Sequence, residues 1–154
     1  MTTPIQDIPV NFMLCPMDKS VQDLERLAPE LPAVILTRDF VTHTVESALL
    51  RIPLPPAVLS HDPATHRYVV RSGGGTLAAL YEFMRPGSEA RLIGAEFDLP
   101  DGCTGATFAE LPGRAKLRIR EAPLNLFEVA PAASDALVAS LTRRMTGCPG
   151  GGTA

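Results

Sequence analysis

The sequence has no tryptophan and only two tyrosines, so it is poor in the aromatic platforms on which single-stranded nucleic acid stacks. It has no excess of positive charge either. Fourteen Lys and Arg stand against 17 Asp and Glu, a formal net charge of −3, which gives no general attraction to nucleic acid or to an anionic membrane. No uncharged apolar run approaches the about 20 residues that cross a bilayer. The opening stretch MTTPIQDIPV lacks both the basic and the apolar region of a signal peptide. Cys15, Cys103 and Cys148 are widely spaced, odd in number and contain no Cys-x-x-Cys, a pattern that excludes the usual zinc and thioredoxin-like arrangements. Reduced thiols are expected, with Cys15 partly buried. There is no internal repeat. The expected setting is the cytoplasm, or a particle such as a virion assembled there.

What is present is a globular composition, 45% hydrophobic and 20% charged over 154 residues, enough chain for one domain with a real core. Proline is abundant, 15 residues, roughly twice its average frequency, and predicts short elements joined by many loops. The stretch that organises the chain is residues 67–84, RYVVRSGGGTLAALYEFM. Its first part favours a β-strand. Ser72, Gly73, Gly74, Gly75 and Thr76 form the most permissive backbone in the sequence. Leu77, Leu80, Tyr81 and Met84 follow at helical spacing, and Pro86-Gly87 stops the helix. A glycine loop that feeds free amides into a helix start is suited to an anion. It carries no side chain able to do chemistry on one.

Residues 1–17 read as an extended arm whose Ile5, Ile8, Val10, Phe12 and Leu14 are spaced by two or three, part of it suited to an edge strand. Residues 18–27 predict a short helix capped by Asp18 or Ser20, and residues 33–36 a short buried strand. Thr42 or Thr44 is expected to cap a helix that buries Val45, Ala48, Leu49 and Ile52, with Pro53, Pro55 and Pro56 ending it. Residues 57–60 and 66–70 read as strands joined by a hairpin turn. Residues 116–120 alternate, with Leu117 and Ile119 inward and Lys116, Arg118 and Arg120 outward, and so predict a strand. Residues 124–129 predict another strand. Ser134 caps a last helix with Leu137, Val138 and Leu141 inside, Gly147 closes it, and residues 148–154 form a tail.

The order of these pieces resembles the amino-terminal domain of GmrSD-type proteins, the ParB/sulfiredoxin-like domain of modification-dependent restriction and phage-defence systems. That family carries a Gln-Arg dipeptide and an aromatic before a helix, then Pro-Ile-Pro-Pro, a strand, and Asp-Gly-Gln-Gln-Arg-Leu-Thr-Ala-Leu. Here Thr37-Arg38-Asp39-Phe40 precedes a helix at residues 46–52, then come Ile52-Pro53-Leu54-Pro55-Pro56 and Ser72-Gly73-Gly74-Gly75-Thr76-Leu77-Ala78-Ala79-Leu80. Residues 92–99 and Phe108-Ala109-Glu110-Leu111-Pro112 look like its downstream loop, and residues 128–147, ending Arg143-Arg144-Met145-Thr146-Gly147, like its last helix. The resemblance covers about residues 20–147 and implies a small α+β domain with a mixed sheet and short helices, flanked by the arm 1–17 and the tail 148–154.

The departures from that family matter most for function. Its acidic residue falls on Ser72, its glutamines on Gly74 and Gly75, and its arginine on Thr76. A metal ligand or base and a phosphate clamp are both missing. Arg38 is left from the first motif to meet an anion at Ser72, Gly73, Gly74, Gly75 and Thr76. His43, His61 and His66 have no evident carboxylate partner and read as exposed turn residues rather than metal ligands. Glu96, Asp98 and Asp101 read as a solvated loop, and Lys116, Arg118 and Arg120 as a solvated strand face. No catalytic residue, metal or cofactor is expected. The expected function is a non-catalytic protein-binding or structural module of a homo- or hetero-oligomeric assembly, a phage particle or a defence complex, with Ile5, Ile8, Val10, Phe12 and Leu14 in the interface. The alternatives are a nucleotide-dependent nuclease or nucleotidase and a regulator that binds nucleotide or DNA without cleaving it. Nucleic acid is not favoured as a partner, and no membrane is expected.

Overall fold

One strand with two apolar faces sits at the centre of the chain. Residues Ala57–Asp62 (β2) alternate so that Ala57 and Leu59 join one hydrophobic cluster while Val58 joins a second, as the two-residue period of a strand requires. The computed structural model describes residues 14–147. In it β2 pairs antiparallel with Arg67–Ser72 (β3) and parallel with Leu126–Glu128 (β4), and Cys15–Met17 (β1) pairs antiparallel with β4. The result is a four-stranded mixed sheet in the order β1-β4-β2-β3, within a small α+β fold.

Helices cover both faces. Arg38–Leu50 (α2), Gly74–Met84 (α3) and Gly113–Arg120 (α4) share the larger cluster with Leu59 and Leu126, together with the short Leu24–Leu27 (α1). The last helix, Asp135–Met145 (α5), packs Val138 on Val58 and Val129 to make the smaller cluster on the opposite face. Leu14 packs on that smaller cluster too. Ser20 caps a 3₁₀ turn at Val21–Asp23, where Asp23 accepts from the Ser20 amide at 2.8 Å. That capping box leads directly into α1. Ser134 caps α5 by accepting from the Leu137 amide at 3.1 Å.

Several elements differ from the sequence expectation. Residues 33–36 are not a buried strand. They form no strand, follow a single isolated parallel bridge between Glu30 and Val69, and Ile35 is 98% exposed. The second helix starts at Arg38, with Thr37 as its cap, accepting from the Phe40 amide at 3.1 Å. Thr44 instead donates from its hydroxyl to the Phe40 carbonyl one turn back, the interior alternative to capping for this residue type. Ile52 lies beyond the helix and is exposed.

Residues 116–120 are the clearest reversal. They lie in α4, where Ala115 and Ile119, one helical turn apart, are buried and Leu117 is 53% exposed. A five-residue alternation fits a strand and an i, i+4 pair equally well, and the pairing with Ala115 decides. In α3 the inward face includes Phe83, fully buried, while Tyr81 is exposed. Cys15 is exposed, not partly buried, and Cys103 is buried, where desolvation pushes its thiol up. Ile5, Ile8, Val10, Phe12 and the tail 148–154 lie outside the described residues.

Candidate functional site

The glycine run is the first place to look. Gly73 has φ +74° and ends β3 in the left-handed region. A Cβ there would lie 2.2 Å from the Pro56 carbonyl oxygen and 2.8 Å from the Ala57 Cα. Gly74 opens α3 against the Pro32 ring, whose Cγ and Cδ would be 2.6 and 2.7 Å from an added Cβ. Gly75 has room, with the Phe40 ring 3.5 Å from its Cβ position. The loop expected from sequence is therefore a one-residue corner. Two of its three glycines are required by backbone and ring approach, independently of any ligand.

The polar side chains around the corner point into the fold. The Ser72 and Thr142 hydroxyls are 2.6 Å apart. Arg71 donates to the Ala133 carbonyl at 2.5 Å and to Asp135 at 3.0 Å, fastening α5 to β3. Thr76 is buried.

Arg38 belongs to the lining of a separate groove of about 640 Å³, with Val34, Leu36, Val41 and Ile93, and with Glu82 and Arg85 from the far end of α3, and none of Ser72, Gly73, Gly74, Gly75 or Thr76 contributes to it. Two further groove arginines have carboxylate partners. Arg85 grips Glu82 at 2.9 and 3.0 Å, a pairing that holds the Glu82 carboxyl below its usual range, chiefly through that side-chain hydrogen bond. Arg91 donates to Glu110 at 2.7 Å and to the Gly105 carbonyl at 2.9 Å. Arg38 has no acidic partner among the described residues.

Sequence reasoning missed one cluster. Glu46 is almost fully buried in α2 and accepts from the Phe97 amide at 2.6 Å. The His43 Nδ1 stands 3.8 Å from Glu46 and 4.0 Å from Glu96. The His43–Glu46 spacing of three residues, one helical turn, was the available signal. The arrangement ties the 94–97 loop to α2. Among the described residues no group of three or more His, Cys, Asp or Glu is placed to hold a metal ion.

The other candidates resolve into structural roles. His61 and His66 meet across the hairpin, ring centroids 6.3 Å apart, and His61 packs edge-on to Tyr68 at 5.3 Å. Arg118 donates through Nε to the Leu49 carbonyl and accepts at its own carbonyl from Arg51 at 2.6 Å. Arg120 lies over the Phe108 ring at 5.3 Å. Two of the three charges expected to form a free basic stripe thus tie α4 to its neighbours. No helix among the described residues is long and apolar enough to cross a membrane.

No family model matches the chain, and no curated protein or solved structure matches it significantly.

Proposed function

We propose that this protein is a non-catalytic protein-binding module, a structural part of a larger assembly, built on a degenerate ParB/sulfiredoxin-like scaffold. The observation that carries the reading is the place where apolar surface is left uncovered. Val34, Ile35, Phe40 and Ile93 are all exposed, and Val34 and Ile93 line the same groove as Arg38. Apolar side chains gathered around a groove with a polar rim are the usual form of a protein contact. The glycine corner offers a reacting group less than a structural joint: Ser72 is engaged by Thr142, and Gly73 is pressed against Pro56. The arm carrying Ile5, Ile8, Val10 and Phe12 supplies a second contact element, in a phage particle or a defence complex, whereas Leu14 is taken up by the chain's own smaller cluster.

Two measurements test this. Native mass measurement of the complex isolated from its source should show the chain in an assembly. A turnover assay with Mg²⁺ or Mn²⁺ and nucleotide or DNA should remain at background. Metal-dependent hydrolysis that Ser72→Ala abolishes would replace the module with the enzyme reading.

A further inference from the structure

The loop between α3 and α4 carries the most exposed phenylalanine of the described residues. Phe97 is 53% exposed, yet its backbone is fixed, because its amide donates to Glu46 at 2.6 Å. Glu46 is itself almost wholly buried. A carboxylate withdrawn from water is costly unless donors meet it. The fold thus commits a buried charge to placing a loop whose aromatic side chain stays outside. Glu96 and Asp98 stand on either side of that aromatic, both exposed. Glu96 has His43 as a neighbour, whereas Asp98 has no cationic partner among the described residues.

A socket of matching chemistry lies close by. Residues 91–97 follow α2: the Thr42 hydroxyl donates to the Arg91 carbonyl at 3.5 Å, and Glu46 accepts from the Phe97 amide. Residues 42 and 46 are about one helical turn, or about 6 Å, apart. The Phe97 backbone therefore sits about one turn along α2 from Arg91, which lines the groove together with Val41. Within that groove Val34, Leu36, Val41 and Ile93 form an apolar wall beside Arg38, the cation without an acidic partner among the described residues. An aromatic with a carboxylate next to it complements an apolar wall with a guanidinium next to it. Phe97 does not line the groove of its own chain, since Glu46 holds it alongside.

A plug and a socket set side by side are what a two-fold axis can satisfy twice, each copy giving one and receiving the other. Building on the protein-binding reading above, we infer that this face joins two copies of the chain. Phe97 of each seats against Val34 and Ile93 of the other, and Asp98 meets Arg38. The contact is made by side chains and needs no added strand.

The test is sedimentation of the full chain over a range of concentrations. The parent should pass from monomer to dimer as concentration rises and stop there. Phe97→Asp and Ile93→Asp, both at exposed positions, should each leave a monomer with an unchanged circular dichroism spectrum. Phe97→Ala, which adds no charge, should weaken the dimer at least tenfold while amide exchange at residue 97 stays slow, showing that Glu46 still holds the loop. Arg38→Asp and Asp98→Arg should each weaken it about tenfold, and the two together should restore most of it, as expected for a charge pair brought together on docking. A parent that stays monomeric at all concentrations overturns the inference. So does a mass that grows beyond the dimer, a dimer that survives Phe97→Asp, or a double charge variant no better than the singles. The protein-binding reading is decided separately, by the native mass measurement and the hydrolysis assay described above.

Discussion

Three adjacent glycines should respond to the same substitution in three different ways. At Gly73, alanine meets two penalties. The φ of +74° costs a residue with a Cβ about 1–2 kcal/mol. The Cβ would also overlap the Pro56 carbonyl oxygen at 2.2 Å, and backbone on both sides leaves no flexible group to give way. Together these should cost about 3–5 kcal/mol, in the range of severe packing errors. Gly74→Ala keeps helical φ but strikes the Pro32 ring at 2.6 Å. The 31–37 segment can shift outward, so the cost should be about 1–3 kcal/mol. At Gly75 the nearest atom is 3.5 Å away, ordinary contact, and the position is helical. There alanine should stabilise by about 0.5–1 kcal/mol, through helix propensity and a less free unfolded chain. Urea denaturation of the three variants, followed by circular dichroism with m held in common, gives the order. Equal effects at all three positions, or a Gly73→Ala within about 0.5 kcal/mol of the parent, would show that the corner is not held by these contacts.

Leu80 and Ile119 are fully buried, so truncating either to Ala should cost about 2–5 kcal/mol, whereas Leu117→Ala, on the exposed face of α4, should cost under about 0.5 kcal/mol in the same denaturation assay. Glu46→Ala removes the acceptor of the Phe97 amide and should destabilise by about 1–3 kcal/mol, with faster amide exchange at Phe97 and its neighbours as the local readout. Asp23 and Glu110 are held below their ordinary values of 3.8 and 4.5, chiefly by backbone amides of Ser20 and Thr107. Folded values lower than unfolded ones mean that their contribution is present above the ordinary range and lost as pH falls through the folded values, so the melting temperature should drop below about pH 5, and Asp23→Asn with Glu110→Gln should flatten that drop.

The β2–β3 hairpin, the strand-to-helix switch at Gly73 and the last helix were legible because each has a local signal: period two turning to 3.6, and Ser134 at the cap. The misread elements are those in which tertiary contacts settle an ambiguous local pattern. Residues 116–120 alternate, yet Ala115 and Ile119 find the core as a helical pair. Residues 33–36 are as strand-like as any in the chain, but the Glu30–Val69 bridge uses the neighbouring edge of β3 first, and the segment peels away. Tyr81 and Phe83 lie two apart on α3, and spacing from Leu77 and Leu80 favoured the wrong aromatic; only the packing of Phe83 against Phe108, ring centroids 6.0 Å apart, distinguishes them. At the candidate site the glycine run was visible and its cause was not, since the atoms that demand Gly73 and Gly74 belong to Pro56 and Pro32, far away in sequence. Arg38 was likewise visible, but the groove it lines is shared with Glu82 and Arg85 at the end of α3, which nothing in the local sequence around Arg38 announces.

The two edges of the sheet bear on where a partner strand can add. β1 is three residues long and contains Pro16, which cannot donate to a further strand. On the other side, β3 is occupied at its middle, where Glu30 donates to the Tyr68 carbonyl at 2.9 Å and accepts from the Val70 amide at 3.3 Å. Both edges are thus shortened or capped in ways that discourage indiscriminate pairing. Residues 33–36 lie outside the sheet, so neither described edge offers an unbroken row of free amides and carbonyls, and indiscriminate strand addition is disfavoured at both.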